Sequence, residues 1–153
     1  MFKNLKLYGS SADAHGLGAD EVIAYALLRS TVGVTMLVHG TNRIAHGVEP
    51  FAADMARDFV GTILPHSLVH LFGLTVPLIE AAIGALLILG LLTRLCLVTG
   101  ALLMIVLVFG TTLREQFMIV GVQLIYAAIY FILIFNLRHN RLSLDNSWAL
   151  SRR

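Results

Sequence analysis

The sequence is poor in the residues from which disulfides, metal sites and charged surfaces are built. Its 153 residues include one cysteine, Cys96, and three prolines, and only 13% of the side chains are charged. A single cysteine excludes an internal disulfide and a metal site made of several thiolates. With 58% hydrophobic residues, the composition is far from that of a soluble domain. These scarcities indicate a protein whose surroundings are largely apolar.

Four apolar segments are each long enough to cross a membrane as a helix, because about 20 helical residues span a hydrocarbon core of about 30 Å. They cover residues 22–40, 68–92, 95–113 and 118–137. The weak alternation of a membrane β-barrel is absent. We therefore predict an all-α polytopic membrane protein, with four transmembrane helices in an antiparallel bundle that forms one domain over residues 1–153.

The basic residues predict how the bundle is oriented. With four spans, the tails 1–20 and 138–153 lie on the same side as the turn around Arg94. That side carries seven basic residues, Lys3, Lys6, Arg94, Arg138, Arg141, Arg152 and Arg153, and the other side carries three, Arg43, Arg57 and Arg114. This excess favours both termini in the cytoplasm. Topology and anionic lipid headgroups account for the basic tail, so no nucleic acid partner is expected.

The long external connection between the first two spans contains a helical pattern of its own. Phe51, Met55, Phe59 and Ile63 recur at every fourth position. The pattern predicts a short interfacial helix at the outer membrane surface. An amphipathic cap packed over the bundle is favoured over a lipid-sensing or docking role.

Two charged residues lie inside predicted spans. Glu80 is near the middle of the second span, and Arg29 is the one basic residue well inside the first. Because a carboxylate at bilayer depth is costly, Glu80 needs a partner. Counted from the predicted cytoplasmic ends, the two residues differ in depth by about 7 Å, which an arginine side chain can cover. We predict that they pair, either as a structural lock or as a site that holds a quinone or moves a proton.

Polar side chains in the fourth span and at the outer face form two further candidate groups. Gln123, Tyr126 and Tyr130 project from one side of the last helix, and with Arg29 and Glu80 they would line a polar pocket suited to a quinone. Packing is the alternative role for these aromatic residues. The other group is an external polar cluster of His39, Arg43, His66 and His70. Ordinary interfacial hydrogen bonds are favoured for it over metal ligation, so no metal site is predicted.

Two stretches resemble the DoxX/DoxD-like family of small bacterial membrane proteins. They read LLRSTVGVTMLVHGTNRIAHG in the first span and VPLIEAAIGALLILGLLTRL in the second. The resemblance implies a four-helix bundle in the bacterial inner membrane. It matches the family's basic residue to Arg29, its later Gly-x-x-basic pattern to Gly40 and Arg43, and its acid to Glu80.

Some members of that family form the membrane subunit of a thiosulfate:quinone oxidoreductase, and others accompany thiol or oxidative-stress proteins. This chain lacks a cysteine at the outer face that could handle sulfur, because Cys96 lies near the predicted cytoplasmic end of the third span. We therefore do not expect it to act on thiosulfate alone. No flavin, haem or iron–sulfur motif is evident, so electrons would come from a redox partner. The leading hypothesis is therefore a membrane subunit of an electron-transfer complex that binds quinone, or lies beside a quinone-reducing partner, and is not catalytic alone. The alternative is a noncatalytic scaffold that stabilises a larger membrane complex. A transporter is less favoured, because no inverted repeat is evident.

Overall fold

The computed structural model describes residues 18–151, and for residues 148–151 it describes the backbone alone. The part of the chain that it describes contains helices and no strand, which confirms the all-α prediction. The helices are α1 Ala19–His46, α2 Val48–Asp58, α3 His66–Leu89, α4 Thr93–Leu113, α5 Phe117–Phe135 and α6 Leu144–Ser151, with a 3₁₀ turn at Leu137–His139. The predicted N-terminal tail lies outside the described residues except for its last three positions, 18–20.

Four of the helices, α1, α3, α4 and α5, are long and apolar enough to cross a membrane. The prediction of four spans is therefore confirmed, and the chain is a multi-pass membrane protein. The first helix is longer than predicted, with 28 residues or about 42 Å of helix. We call the end of the bundle where α1 begins and α5 ends the tail end. The opposite end, where α2 connects α1 to α3, is the cap end.

Glycines bring the backbones of α1 and α3 into contact. A methyl group added at Gly40 would lie 2.5 Å from the carbonyl oxygen of Pro77, and one added at Gly84 would lie 2.6 Å from that of Gly33. Small residues are the usual means by which membrane helices approach this closely. The contacts hold the two antiparallel helices in a single register, and this register decides where the charged side chains lie.

The helices α4 and α5 form a second antiparallel pair. Tyr130 of α5 is fully buried and lies over Gly100 of α4, where an added methyl group would be 2.6 Å from a ring carbon. Most other large side chains of α5 are exposed in the isolated chain, including Met118 at 87% and Phe135 at 76%. In a membrane these apolar surfaces contact lipid.

The short helix α2 confirms the prediction of a helix in the first long connection, although it begins and ends earlier than the pattern predicted. Its buried residues are Ala52 and Ala56, and Ala52 packs against Gly73 of α3. Ile63, which was predicted to belong to this helix, lies beyond its end and is 80% exposed. Small alanines occupy the interface because α2 packs tightly along the first turns of α3. The helix is therefore a cap on the bundle.

Candidate functional site

The buried acid Glu80 forms an ion pair with Arg43 of α1. Glu80 is only 3% exposed, and a guanidinium nitrogen of Arg43 donates to its Oε2 atom. The guanidinium carbon of Arg43 also lies 4.7 Å from the centre of the Phe51 ring of α2, which is within cation–π range. The partner of the Glu80 carboxylate therefore comes from the last turn of α1, at the cap end of the bundle.

The predicted pair between Arg29 and Glu80 is wrong. The Nη1 atom of Arg29 donates to Oδ1 of Asn140 at 2.7 Å, and its Nη2 atom donates to the carbonyl oxygen of Leu142 at 2.9 Å. Arg29 is 3% exposed and lies against Gly90, at the tail end. Its partners thus belong to the C-terminal segment.

The register of α1 against α3 explains why Arg29 does not reach the acid. Arg29 is level with Gly90, ten residues beyond Glu80, which corresponds to about 15 Å along a helix. Helical side chains also tilt toward the N-terminus of their own helix. This tilt carries Arg29 away from Glu80 and carries Arg43 toward it. The predicted depth difference of 7 Å assumed that the two helices end at one level, whereas α1 extends past α3 at the tail end.

The residues around Arg29 form a polar network that the sequence analysis missed. Asn140 donates from Nδ2 to Oγ1 of Thr93 at 3.0 Å. The two carboxylate oxygens of Asp145 accept the backbone N–H groups of Leu92 and Thr93, each at 2.8 Å, and so cap the start of α4. The network ties the C-terminal segment to α1 and α4. No local signal could have revealed it, because Asp145 follows the residues that it caps by more than 50 positions.

Hydrogen bonds also set the ionisation of Asp145. Burial alone would raise the pKa of its carboxyl group. The hydrogen bonds from Thr93 and Leu92, together with the nearby charge of Arg29, outweigh that effect and hold the pKa below its usual value. Asp145 is therefore a carboxylate at neutral pH.

The remaining predicted pocket residues do not converge. Gln123 accepts a hydrogen bond from Thr111 at 2.6 Å, near the cap end. Tyr126 is half-buried and packs against the apolar core. The hydroxyl group of Tyr130 is buried and has no hydrogen-bond partner among the described residues.

Four cavities among the described residues are lined by none of the five predicted pocket residues, Arg29, Glu80, Gln123, Tyr126 and Tyr130. Helix register separates Arg29 from Glu80, and close packing of α5 on α4 fills the space around Tyr130. These five residues therefore do not line a common pocket.

The predicted external cluster separates into two groups. His66 and His70 stack on one another with ring centres 6.3 Å apart, and Nε2 of His70 lies 3.0 Å from Oε1 of Glu49. Arg43 belongs instead to the pair with Glu80, and His39 is exposed one turn before Arg43 on α1. The division follows from the register, because Arg43 reaches inward along α3 while the two stacked histidines remain at its first turns.

Three of these cavities lie at the cap end. A small one of about 290 Å³ borders Arg43, Asn42 and His46. A second of about 310 Å³ lies between α2, α3 and α4, is almost wholly apolar, and has Arg114 at its edge. A third of about 390 Å³ borders Asp58 and Arg114. Arg114 donates to Oδ2 of Asp58 at 2.6 Å. The cap end thus holds Arg43, the partner of the buried acid, and an apolar cavity bordered by Arg114.

The fold and the buried ion pair define a polytopic four-helix membrane protein with a charged centre inside the bundle. A family model described as DoxX matches residues 24–113, which is more than half of the chain. The protein therefore belongs to the DoxX family, as the sequence resemblance predicted. The match covers α1 from its second turn through the end of α4. No curated protein and no solved structure matches the chain.

Proposed function

We propose that this DoxX-family protein is the membrane subunit of a quinone-linked electron-transfer complex. A redox partner supplies or removes the electrons, and the subunit holds the quinone and handles its protons. The location is the inner membrane of a bacterium. The resemblance to family members that form the membrane subunit of a thiosulfate:quinone oxidoreductase supports this proposal. The main structural support is one feature of the bundle.

That feature is the pair of Glu80 with Arg43. Charged residues at membrane depth are rare, and they often serve ion or proton pathways. Conversion of a quinone to a quinol takes up two electrons and two protons, so a quinone site needs a route by which protons enter or leave. Glu80 is buried, whereas the Arg43 side chain is 31% exposed and borders the small cavity with Asn42 and His46. The pair therefore connects the interior of the bundle to the cap end.

The variant Glu80→Gln tests this role in the native complex. The complex would be isolated in gentle detergent, its proteins and small molecules would be identified by mass spectrometry, and its quinone turnover would be measured. We expect Glu80→Gln to assemble normally and to lose about a hundredfold of turnover, the usual contribution of a group that transfers protons. Glu49→Gln, which alters an exposed acid on α2, is the matched control and should retain turnover.

Two results would contradict the proposal. If the isolated complex contains no quinone and does not convert quinone, the proposed function is wrong. Full turnover in an assembled Glu80→Gln complex, with only reduced stability, would favour a noncatalytic scaffold. In that case the ion pair would serve only to hold α1 and α3 together.

We also propose that both termini lie in the cytoplasm and the cap end outside, on the strength of the excess of basic residues at the tail end. Cysteine substitution at exposed positions tests this orientation, because Cys96 is buried. A membrane-impermeant maleimide added to intact cells should label Ile63→Cys at the cap end and leave Ser147→Cys unlabelled. The opposite pattern would reverse the orientation.

A further inference from the structure

The cap-end cavity between α2, α3 and α4, which we call the apolar chamber, is lined by aromatic and aliphatic side chains from three helices. Phe59 lies at the end of α2, Phe72 belongs to α3, and Phe109 and Gly110 belong to α4. Three phenyl rings around one space suit a flat ring, because aromatic groups stack or meet edge to face. The volume of about 310 Å³ is near the lower limit of small-molecule sites. It can hold a substituted ring but not a long tail.

The chamber opens toward lipid on one side. Leu68 of α3 and Phe109 of α4 both line it, and they are 54% and 51% exposed. Both residues belong to membrane-spanning helices, so these exposed surfaces face the hydrocarbon. A ligand with an apolar tail can therefore place its ring in the chamber and leave its tail among the lipid chains.

The polar edge of the chamber is formed by Arg114. Its guanidinium group donates to Asp58 at 2.6 Å and lies 5.2 Å from the centre of the Phe59 ring. A guanidinium carries five N–H donors, so one bond to Asp58 leaves others for a ligand. Because Asp58 already balances the charge, this edge favours a neutral hydrogen-bond acceptor over an anion. The hydroxyl group of Thr111, the other polar residue of the lining, lies within hydrogen-bond distance of Gln123 and of the carbonyl oxygen of Leu107, so acceptors within the protein occupy its one hydrogen.

We propose that the apolar chamber is the quinone-binding site of the protein. The ring lies among Phe59, Phe72 and Phe109, a ring carbonyl accepts a hydrogen bond from Arg114, and the isoprenoid tail leaves between α3 and α4. This inference rests on the proposed function and assigns its ligand to residues outside the predicted pocket. A lipid acyl chain is the competing occupant, but it would make no use of the N–H donors of Arg114.

Gly110 offers a way to fill the chamber without altering a charge. A methyl group added there would lie 3.0 Å from Cζ of Phe59, so a leucine side chain would project into the space where the ring binds. Gly121 of α5 is the matched control, because an added methyl group would meet nothing within 4 Å. Both substitutions place the same side chain at a helical glycine of a membrane span.

The experiment measures binding of a short-chain quinone to the purified complex by equilibrium dialysis, and maps labelling of the wild-type protein by an azido-quinone. We expect Gly110→Leu to weaken binding at least tenfold, Gly121→Leu to leave it unchanged, and the azido-quinone to label peptides of α2, α3 and α4. Labelling of the wild-type protein gives an answer even if Gly110→Leu does not fold.

The outcomes separate this inference from the proposed function. Unchanged binding in folded Gly110→Leu, or labelling confined to other peptides, overturns the chamber as the site while quinone turnover by the complex still stands. A wild-type complex that neither binds nor converts quinone, with an acyl lipid recovered from it, overturns both.

Discussion

Replacement of Arg43 by leucine would remove the cation that faces Glu80 and leave a nearly inaccessible carboxylate without its ion-pair partner. Removal of one member of a buried pair typically costs about 3–5 kcal/mol. Arg43 is 31% exposed, so solvent already screens part of its charge, and uptake of a proton by Glu80 limits the loss. We therefore expect Arg43→Leu to destabilise the protein by about 3 kcal/mol, the lower end of that range. Glu80→Gln keeps an acceptor for Arg43 and should cost about 1–2 kcal/mol.

The double variant Arg43→Leu/Glu80→Gln should be more stable than the sum of its parts predicts. With both charges gone, neither partner is left buried and uncompensated, so we expect a coupling free energy of about 2 kcal/mol. The matched cycle uses Arg29→Leu with Glu80→Gln. Because Arg29 bonds to Asn140 and Leu142 at the tail end, these two changes should add to within about 0.5 kcal/mol.

The two cycles can be measured by unfolding in mixed micelles, with helix content followed by circular dichroism. Equal expression and retention of helix in each variant are the controls. A larger coupling between Arg29 and Glu80 than between Arg43 and Glu80 would refute the register described above. Additivity in both cycles would show that neither arginine stabilises the acid.

Two further predictions concern stability at other places in the bundle. Asp145→Ala removes the acceptor for two backbone N–H groups at the start of α4 and should cost about 1–2 kcal/mol at neutral pH. Because the folded-state pKa of Asp145 lies below its ordinary value, this stabilisation is present above about pH 4 and is lost as the pH falls further. The free energy of unfolding, measured at neutral and acidic pH, should therefore show this loss in the wild type and not in Asp145→Ala. Gly84→Leu should destabilise the protein by about 3 kcal/mol or more, because its side chain would collide with the backbone of α1. Gly121→Leu should stay within about 0.5 kcal/mol of the wild type in the same assay, and equal losses would refute close contact of α1 with α3.

The class of fold and the position of the buried acid follow from the order of the amino acids alone. Runs of about 20 apolar residues have few stable forms in lipid, since each backbone group must be hydrogen-bonded within the segment. The four spans were predictable for this reason, and only their ends differed. The cost of a buried carboxylate likewise made Glu80 a residue that needs a partner.

Which arginine pairs with Glu80 depends on the tertiary structure. Arg43 and Arg29 lie on one face of α1, and each could have been matched to Glu80 from helical spacing. The choice depends on contacts of Gly40 with Pro77 and of Gly33 with Gly84, which set how far α1 slides along α3. When α1 slides along α3, the hydrophobic periodicity of each helix stays the same. The pattern within one segment therefore cannot predict which residues of the two helices lie at the same level.

The tail-end network and the apolar chamber escaped prediction for a related reason. Asp145 caps a helix that begins more than 50 positions earlier, and the chamber joins residues of α2, α3 and α4 that share no motif. Local sequence governs which segments form helices and which faces are apolar, because hydrogen bonding and burial act along each segment. The partners of buried charges depend on the packing of several helices at once, because shape complementarity between distant segments sets their relative positions.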